Sequence, residues 1–320
     1  MTQVAAVICV RMSSERLPGK ALCVYDEATG KTNLECIIER VRTSRYNPKV
    51  IVATSTDPTD DPIWNKIDSL YNQKNNSVNG IGIFRGDLNN VVRRFDESLK
   101  YLAPDADLIW RVMADNPLVD VGLVDWRADI LVRNKADVII PITPEPTYAA
   151  QANVWSREAW DFCVKHSSGS LLEHPGELIY ERAAEFRAIR EPGPESIYYQ
   201  PVRTELDTPE DLEFFRAAWR GYLGKKSKVT NTGNTIDDVS LVGHTFPFQT
   251  KEVLSWLSTR PDIVALNSHI QEKTHSTYLH GHARARNIKC EHCSRTVANK
   301  VNDRVDITCA GCGQVKSFYP

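Results

Sequence analysis

Three cations, two hydroxyls and a glycine fall within ten residues near the N-terminus, in Arg11-Met-Ser-Ser-Glu-Arg16-Leu-Pro-Gly-Lys20, directly after the apolar run 4–10. A buried strand that ends in such a loop is built to hold an anion with several charges, and a triphosphate is the natural candidate. Ser13 and Ser14 can donate hydroxyls, Gly19 lets the backbone come close, and Pro18 stiffens the turn. Arg11 and Arg16 offer forked donors that match phosphate oxygens, while Lys20 is a compact point charge. One cation about 4 Å from one phosphate charge is worth roughly 4 kcal/mol at an effective dielectric near 20, so a polyanion needs several to offset its lost hydration. The alternative is a solvated, turn-rich loop. The order Gly-x-x-x-x-Gly-Lys-Ser/Thr of a Walker A loop is absent.

Two acidic positions could complement these cations. Asp115 follows the apolar run 108–113 and precedes Pro117, at what should be the carboxyl end of a buried strand. A hard carboxylate oxygen there suits Mg2+ bridging nucleotide phosphates, although a helix cap or turn is the simpler reading of the bare Asp-x-Pro. Asp207 stands in Arg203-Thr-Glu-Leu-Asp-Thr-Pro-Glu-Asp-Leu212, where Thr208, Pro209 and two acids read as a helix start. Other polar positions have ordinary alternatives. Thr54 and Ser55 belong to a loop that could simply cap a helix, Asp87 reads as an N-cap, and Arg93 and Arg94 read as a solvated helix face. His174 could orient a carboxylate or hydroxyl, or be an ordinary surface histidine.

The elements that must position these groups alternate. Strand patterns cover 4–10, 50–54, 81–84, 108–113 and 138–141, and helical patterns cover 33–45, 62–71, 88–102 and 121–133, with Asn33 and Asp87 at expected N-caps. The order predicts an α/β, doubly wound, mostly parallel sheet, with ligands outside the carboxyl ends of its strands. The loop 11–20 and Asp115 both lie at such an end.

Composition narrows the class. The chain has 320 residues, 42% hydrophobic and 25% charged, and a formal net charge of -2, so nothing global points to nucleic acid or an anionic membrane. No apolar run approaches the roughly 20 residues of a membrane helix, and a cytoplasmic location is expected. Of eight cysteines, Cys9, Cys23, Cys36 and Cys163 are scattered and read as reduced thiols. The other four form Cys290-Glu-His-Cys293 and Cys309-Ala-Gly-Cys312, with 15 residues between the pairs. That spacing matches a structural zinc ribbon, a closed four-thiolate site that holds a small fold together and leaves no open position for catalysis.

The segment Arg11-x-Ser-Ser-x-Arg16-Leu-Pro-Gly-Lys20 resembles the signature loop of the cytidylyltransferases that make CMP-activated sugar acids, the CMP-Kdo synthetases and their relatives in spore-coat and surface-polysaccharide synthesis. The resemblance runs from about residue 4 to about residue 267. It implies a nucleotide-diphospho-sugar transferase-like fold and CTP as the nucleotide. It implies that Thr54, Ser55 and Asp87 line the nucleotide pocket, with Arg94 a further candidate, and that Asp115 and Asp207 hold Mg2+. It also implies an acceptor side over 149–200, with His174 in a Glu-His segment, and Arg203 as a clamp for phosphate or the acceptor carboxylate. Ala114 replaces the glycine usual before the first metal aspartate, and Pro175 and Gly176 depart from the usual acceptor segment. A homodimer is implied as well.

The expected organisation is a catalytic domain over 1–223, a linker with a short helical segment over 224–287 and a zinc ribbon over 288–320. The expected reaction is Mg2+-dependent transfer of CMP from CTP to a sugar acid of the Kdo or nonulosonic type, for surface polysaccharide or glycoconjugate synthesis. Two alternatives stay open: a CTP-dependent transferase with a non-sugar acceptor, and an inactive scaffold whose zinc ribbon binds nucleic acid or protein. Residues 281–320 carry seven Lys/Arg against three Asp/Glu but lack the interleaved aromatics of a single-strand reader, so protein docking is the favoured role of the tail.

Overall fold

A computed structural model describes residues 2–71, 81–141, 151, 153–191, 202–223 and 249–270, together with four strands at 286–289, 296–301, 305–308 and 315–318. Seven strands form the main sheet: β1 (Val4–Cys9), β2 (Lys49–Ser55), β3 (Ile81–Gly86), β4 (Leu108–Met113), β5 (Val138–Pro141), β6 (Asn153–Ser156) and β7 (Ala188–Glu191). Their order is β3-β2-β1-β4-β6-β5-β7. The pairs β1–β2, β1–β4, β2–β3 and β5–β7 are parallel, whereas β6 runs antiparallel to both neighbours. The sheet is thus mostly parallel, as expected, with one reversed strand. Strands β6 and β7 have four residues each, too few for alternation to stand out in the sequence.

Strand order reverses at β1, so a crevice opens beyond the carboxyl ends of β1 and β4. Both faces of β1 are covered, which explains its unbroken apolar run. Ala6 and Ile8 pack with Leu34, Ile37 and Val124 on one face, while Ala5 and Val7 pack with Phe95, Leu99 and Trp160 on the other. The helices supplying these side chains are α1 (Asn33–Val41), α2 (Asp61–Tyr71), α3 (Val91–Leu102), α4 (Val121–Asn134) and α5 (Arg157–His166), followed by the short α6 (Glu177–Glu181) and by α7 (Pro209–Ala218).

Three local expectations are corrected. Thr32 caps α1 through a capping box with Glu35, which frees the Asn33 side chain for tertiary bonds, and the helix stops at Val41. Asn90 rather than Asp87 caps α3, accepting from Arg93 N. Arg94 lies on the inner face of α3, buried, with Nη1 donating to the carbonyls of Asp87 and Leu88 at 2.6 and 3.2 Å. Its position among charged neighbours disguises it: a long cation whose Nη1 is taken by carbonyls packs with the core, not with the solvated face.

Two more helices, α8 (Thr250–Leu257) and α9 (Pro261–Val264), pack on the same chain. Val253, Leu254, Leu257 and Ile263 are buried with Leu118, Leu206, Phe214 and Phe215. In the tail, β8 (Arg286–Lys289) pairs antiparallel with β9 (Thr296–Val301), and β10 (Val305–Thr308) with β11 (Val315–Phe318). Cys290, Cys293, Cys309 and Cys312 lie outside the described residues. Among the described residues no helix is long and apolar enough to cross a membrane.

Candidate active site

The loop after β1 is closed by its own backbone. Met12 O accepts from Ser14 N and from Gly19 N, both at 2.9 Å, and Gly19 takes the left-handed conformation (φ 73°) that lets the chain turn into the short 3-10 segment Lys20–Leu22. The loop is also tied to the end of β2. Asp60, fully buried, accepts from Met12 N at 2.7 Å and from both the amide and the hydroxyl of Ser55. The Ser55 hydroxyl is therefore given to Asp60. Thr54 is buried beside it, and its hydroxyl has no hydrogen-bond partner among the described residues.

This closure brings Lys20 between the two carboxylates picked out above. Its Nζ stands 3.0 Å from Asp115 Oδ2 and 3.0 Å from Asp207 Oδ1, and Arg16 forms an ion pair with the other oxygen of Asp207. The side chains of Lys20, Asp115 and Asp207 are 15%, 20% and 10% exposed, so a path to solvent remains while screening is reduced. Arg11 and Ser13 are exposed at the rim, and Ser14 is half-buried.

Each carboxylate is positioned by its backbone. Asn33 Nδ2 donates to Ala114 O at 2.9 Å while its Oδ1 accepts from Tyr25 OH at 2.7 Å, fixing the peptide before Asp115. Leu206 N donates to Asp115 O at 2.9 Å, joining the two acidic loops directly. Asp211, in the first turn of α7, accepts from Asp207 N at 3.0 Å and from Thr208 N at 2.9 Å.

Other expected site residues are engaged differently. The Arg203 guanidinium is bidentate on Asp211, at 2.8 and 3.0 Å, and lies 2.8 Å from Glu205 Oε2. Its side chain is only 5% exposed, so as placed its fork holds protein carboxylates rather than a phosphate or acceptor. Burial lifts the Glu205 carboxyl above its usual range and Asp115 adds to the effect, against Arg203, Lys20 and Arg16. Asp87 accepts from the amides of Asn90 and Asn89, which hold it below the usual carboxylate range. His174 Nδ1 stands 3.7 Å from Glu177 Oε1 on the turn before α6, and Arg111 of β4 donates to Pro175 O at 2.9 Å, tying that turn to the strand that ends near Asp115. At Gly176 the φ of 87° and a Trp155 ring atom 2.1 Å from an added Cβ explain why glycine stands there.

Among the described residues no three His, Cys, Asp or Glu side chains are grouped as a ready metal cage. Two carboxylates around one cation nevertheless fit Mg2+, which keeps several waters and takes further oxygens from substrate phosphates. The Lys20 ammonium occupies the place between Asp115 and Asp207 that such an ion needs. Asp60, Asn33, Glu205 and Asp211 had no functional signal in the sequence: Asp60 and Asp211 sit in acid-rich helix starts, where capping is explanation enough.

A family model described as Cytidylyltransferase matches residues 5–221. An uncharacterized protein of Methanocaldococcus jannaschii is 24% identical over 274 residues, 85% of this chain and 98% of its own. The spore coat polysaccharide biosynthesis protein SpsF of Bacillus subtilis is 26% identical over 226 residues, 69% of this chain and 88% of its own. Among solved structures, a cytidylyltransferase from Leptospira borgpetersenii superposes with a TM-score of 0.66 at 20% identity, over 85% of this chain and all of that one, a likeness of fold.

Asp60→Ala leaves the Met12 and Ser55 donors unsatisfied in the interior. It should cost about 3 kcal/mol of stability in a urea titration and weaken nucleotide binding by calorimetry, because the cationic loop loses its anchor.

Proposed function

The chain belongs to the cytidylyltransferase family, and from that premise we propose that it transfers CMP from CTP to the hydroxyl of a sugar acid with release of pyrophosphate. The observation that carries the proposal is the convergence of Lys20, Arg16, Asp115 and Asp207, drawn from three distant segments, at the carboxyl ends of β1 and β4. Retention of both carboxylates speaks against an inactive scaffold.

In this reading the triphosphate lies along residues 11–20, with Arg11, Arg16, Lys20, Ser13, Ser14 and the Gly19 backbone as its donors. Asp115 and Asp207 would hold Mg2+, which supplies charge neutralisation and orientation for in-line displacement at the α-phosphorus. The acceptor hydroxyl oxygen bonds to phosphorus, giving up its proton to solvent, as the bond to the β-phosphate oxygen breaks. Arg11, Arg16 and Lys20 stabilise the charge gathering on pyrophosphate, where each 1.4 kcal/mol of selective stabilisation gives about a tenfold rate gain. With Asp115 and Asp207 holding the metal, Lys20 would donate to phosphate oxygens instead of bridging the two carboxylates. No covalent nucleophile is required. Thr54, whose buried hydroxyl is unpaired among the described residues, is the best-placed donor on β2 for the nucleoside. Asp87 would border the nucleotide, and His174 on its turn beside β4 would meet the acceptor. The acceptor class rests on the resemblance and on SpsF, the polysaccharide-related relative.

The tail is read as a structural zinc ribbon. Cys290 and Cys293 fall in sequence between the paired strands β8 and β9, and Cys309 and Cys312 between the paired strands β10 and β11, a spacing that suits one shared Zn2+. A docking role toward a protein, with nucleic acid the less favoured partner, is part of the same reading. A homodimer remains part of the proposal.

With Mg2+ and a panel of sugar acids, pyrophosphate release is expected with CTP but not with ATP or GTP, and Asp115→Ala and Asp207→Ala should each lower it about a hundredfold or more. Silence across the panel together with no CTP binding by calorimetry contradicts the reading. Metal analysis of the purified chain should find one equivalent of zinc, lost in Cys290→Ala together with Cys309→Ala while CTP binding persists.

A further inference from the structure

Residues 249–270 lie beyond the part of the chain that the family model matches, which ends at residue 221. Their two ends nevertheless meet the two loops that carry Asp115 and Asp207. At the first end, buried Thr250 donates through Oγ1 to Leu118 O at 3.1 Å and accepts from Arg40 Nη2. Arg40 Nε in turn donates to Val119 O at 2.7 Å. At the far end, Asn267 is fully buried, and its Nδ2 donates to Arg203 O at 3.1 Å and to Asp211 Oδ1 at 2.9 Å. Asp211 is the carboxylate that receives Asp207 N, Thr208 N and two arms of Arg203. Between the ends, α8 and α9 bury Val253, Leu254, Leu257 and Ile263 against Leu118 and Leu206, one residue from each acidic loop.

We propose that this segment is a brace that sets the spacing of Asp115 and Asp207, with Asn267 as its positioning residue, so that metal affinity depends on a side chain that touches neither metal nor nucleotide. The proposal rests on the metal role given to those two carboxylates above. Loss of the Asn267 donor unpairs Arg203 O, leaves Asp211 with one fewer restraint, and lets the Asp207 backbone drift. Groups that orient metal ligands in this way typically change metal affinity 10- to 100-fold when removed.

The test uses the full chain with saturating CTP and follows free Mn2+ by electron paramagnetic resonance. Asn267→Leu keeps the number and branching of the side-chain heavy atoms and removes the donor. Leu99→Ala opens a cavity under α3, in a hydrophobic cluster separate from the one that holds Leu118 and Leu206, and serves as the stability control. The brace predicts at least a tenfold weaker Mn2+ affinity in Asn267→Leu, and less than a twofold change in Leu99→Ala even where its melting temperature falls further. If Asn267→Leu fails to fold, Thr250→Val at the other end of the brace takes its place with the same expectation. Affinity within twofold of wild type in the folded brace variant, or a loss in both variants that simply tracks melting temperature, overturns the proposal. A wild type that binds no Mn2+ with CTP overturns the metal reading beneath it, and that result is visible before any variant is compared.

Discussion

One ammonium joins segments that lie 95 and 187 residues apart in the chain, the Lys20 side chain between Asp115 and Asp207. Both carboxylate oxygens stand 3.0 Å from the same nitrogen, so they are no more than about 6 Å from each other. Two full charges at that separation repel by roughly 3 kcal/mol at an effective dielectric near 20, and each attraction to the ammonium is about twice as large. A cation between the two carboxylates offsets that repulsion, while the Leu206 N to Asp115 O bond and the packing of Leu118 with Leu206 hold the loops themselves together. In the free protein that cation is Lys20, helped by Arg16 on Asp207. In the reaction proposed above, Asp115 and Asp207 would hold a divalent ion in that place and Lys20 would serve the phosphates.

What surrounds the bridge repeats one device. A buried carboxylate accepts main-chain amides of a functional loop: Asp60 takes Met12 N for the cationic loop, and Asp211 takes Asp207 N and Thr208 N for the second acidic loop. At the first acidic loop the direction is reversed, and the Asn33 side-chain amide donates to Ala114 O. These partners touch no ligand, yet they decide where Lys20, Asp115 and Asp207 point, and a site of this kind tolerates little slack.

The sequence made β1, its cationic loop, Asp115 and Asp207 visible because each is carried by a local pattern: an apolar run stopped by polar residues, or an acid beside proline. The short helical segment expected within 224–287 is α8, which ends at Leu257, and its partner, the hydrophobic face of α7 and its flanking loops, could not be read from the sequence. Asn33 and Asp87 were expected at N-caps because both residue types favour them, but Thr32 and Asn90 sit one residue before and three residues after and have the better backbone geometry. Arg94, Glu205 and Asn267 carry no local signal at all. Their partners are carbonyls for Arg94, the Arg203 guanidinium for Glu205, and a carbonyl and a carboxylate for Asn267, and a hydrogen bond spanning 56 residues, as from Asn267 to Asp211, leaves no periodicity to read. Arg203 shows the same limit from the other side, since its motif suggests a ligand clamp while its guanidinium is sunk against Asp211.

Anomalous diffraction from crystals grown with CTP and Mn2+ tests the account at its centre. The account predicts a metal peak within coordination distance of both Asp115 and Asp207, with Lys20 turned from them onto the triphosphate along residues 11–20. A triphosphate bound away from that loop, or a metal that leaves Lys20 still bridging the two carboxylates, would contradict it.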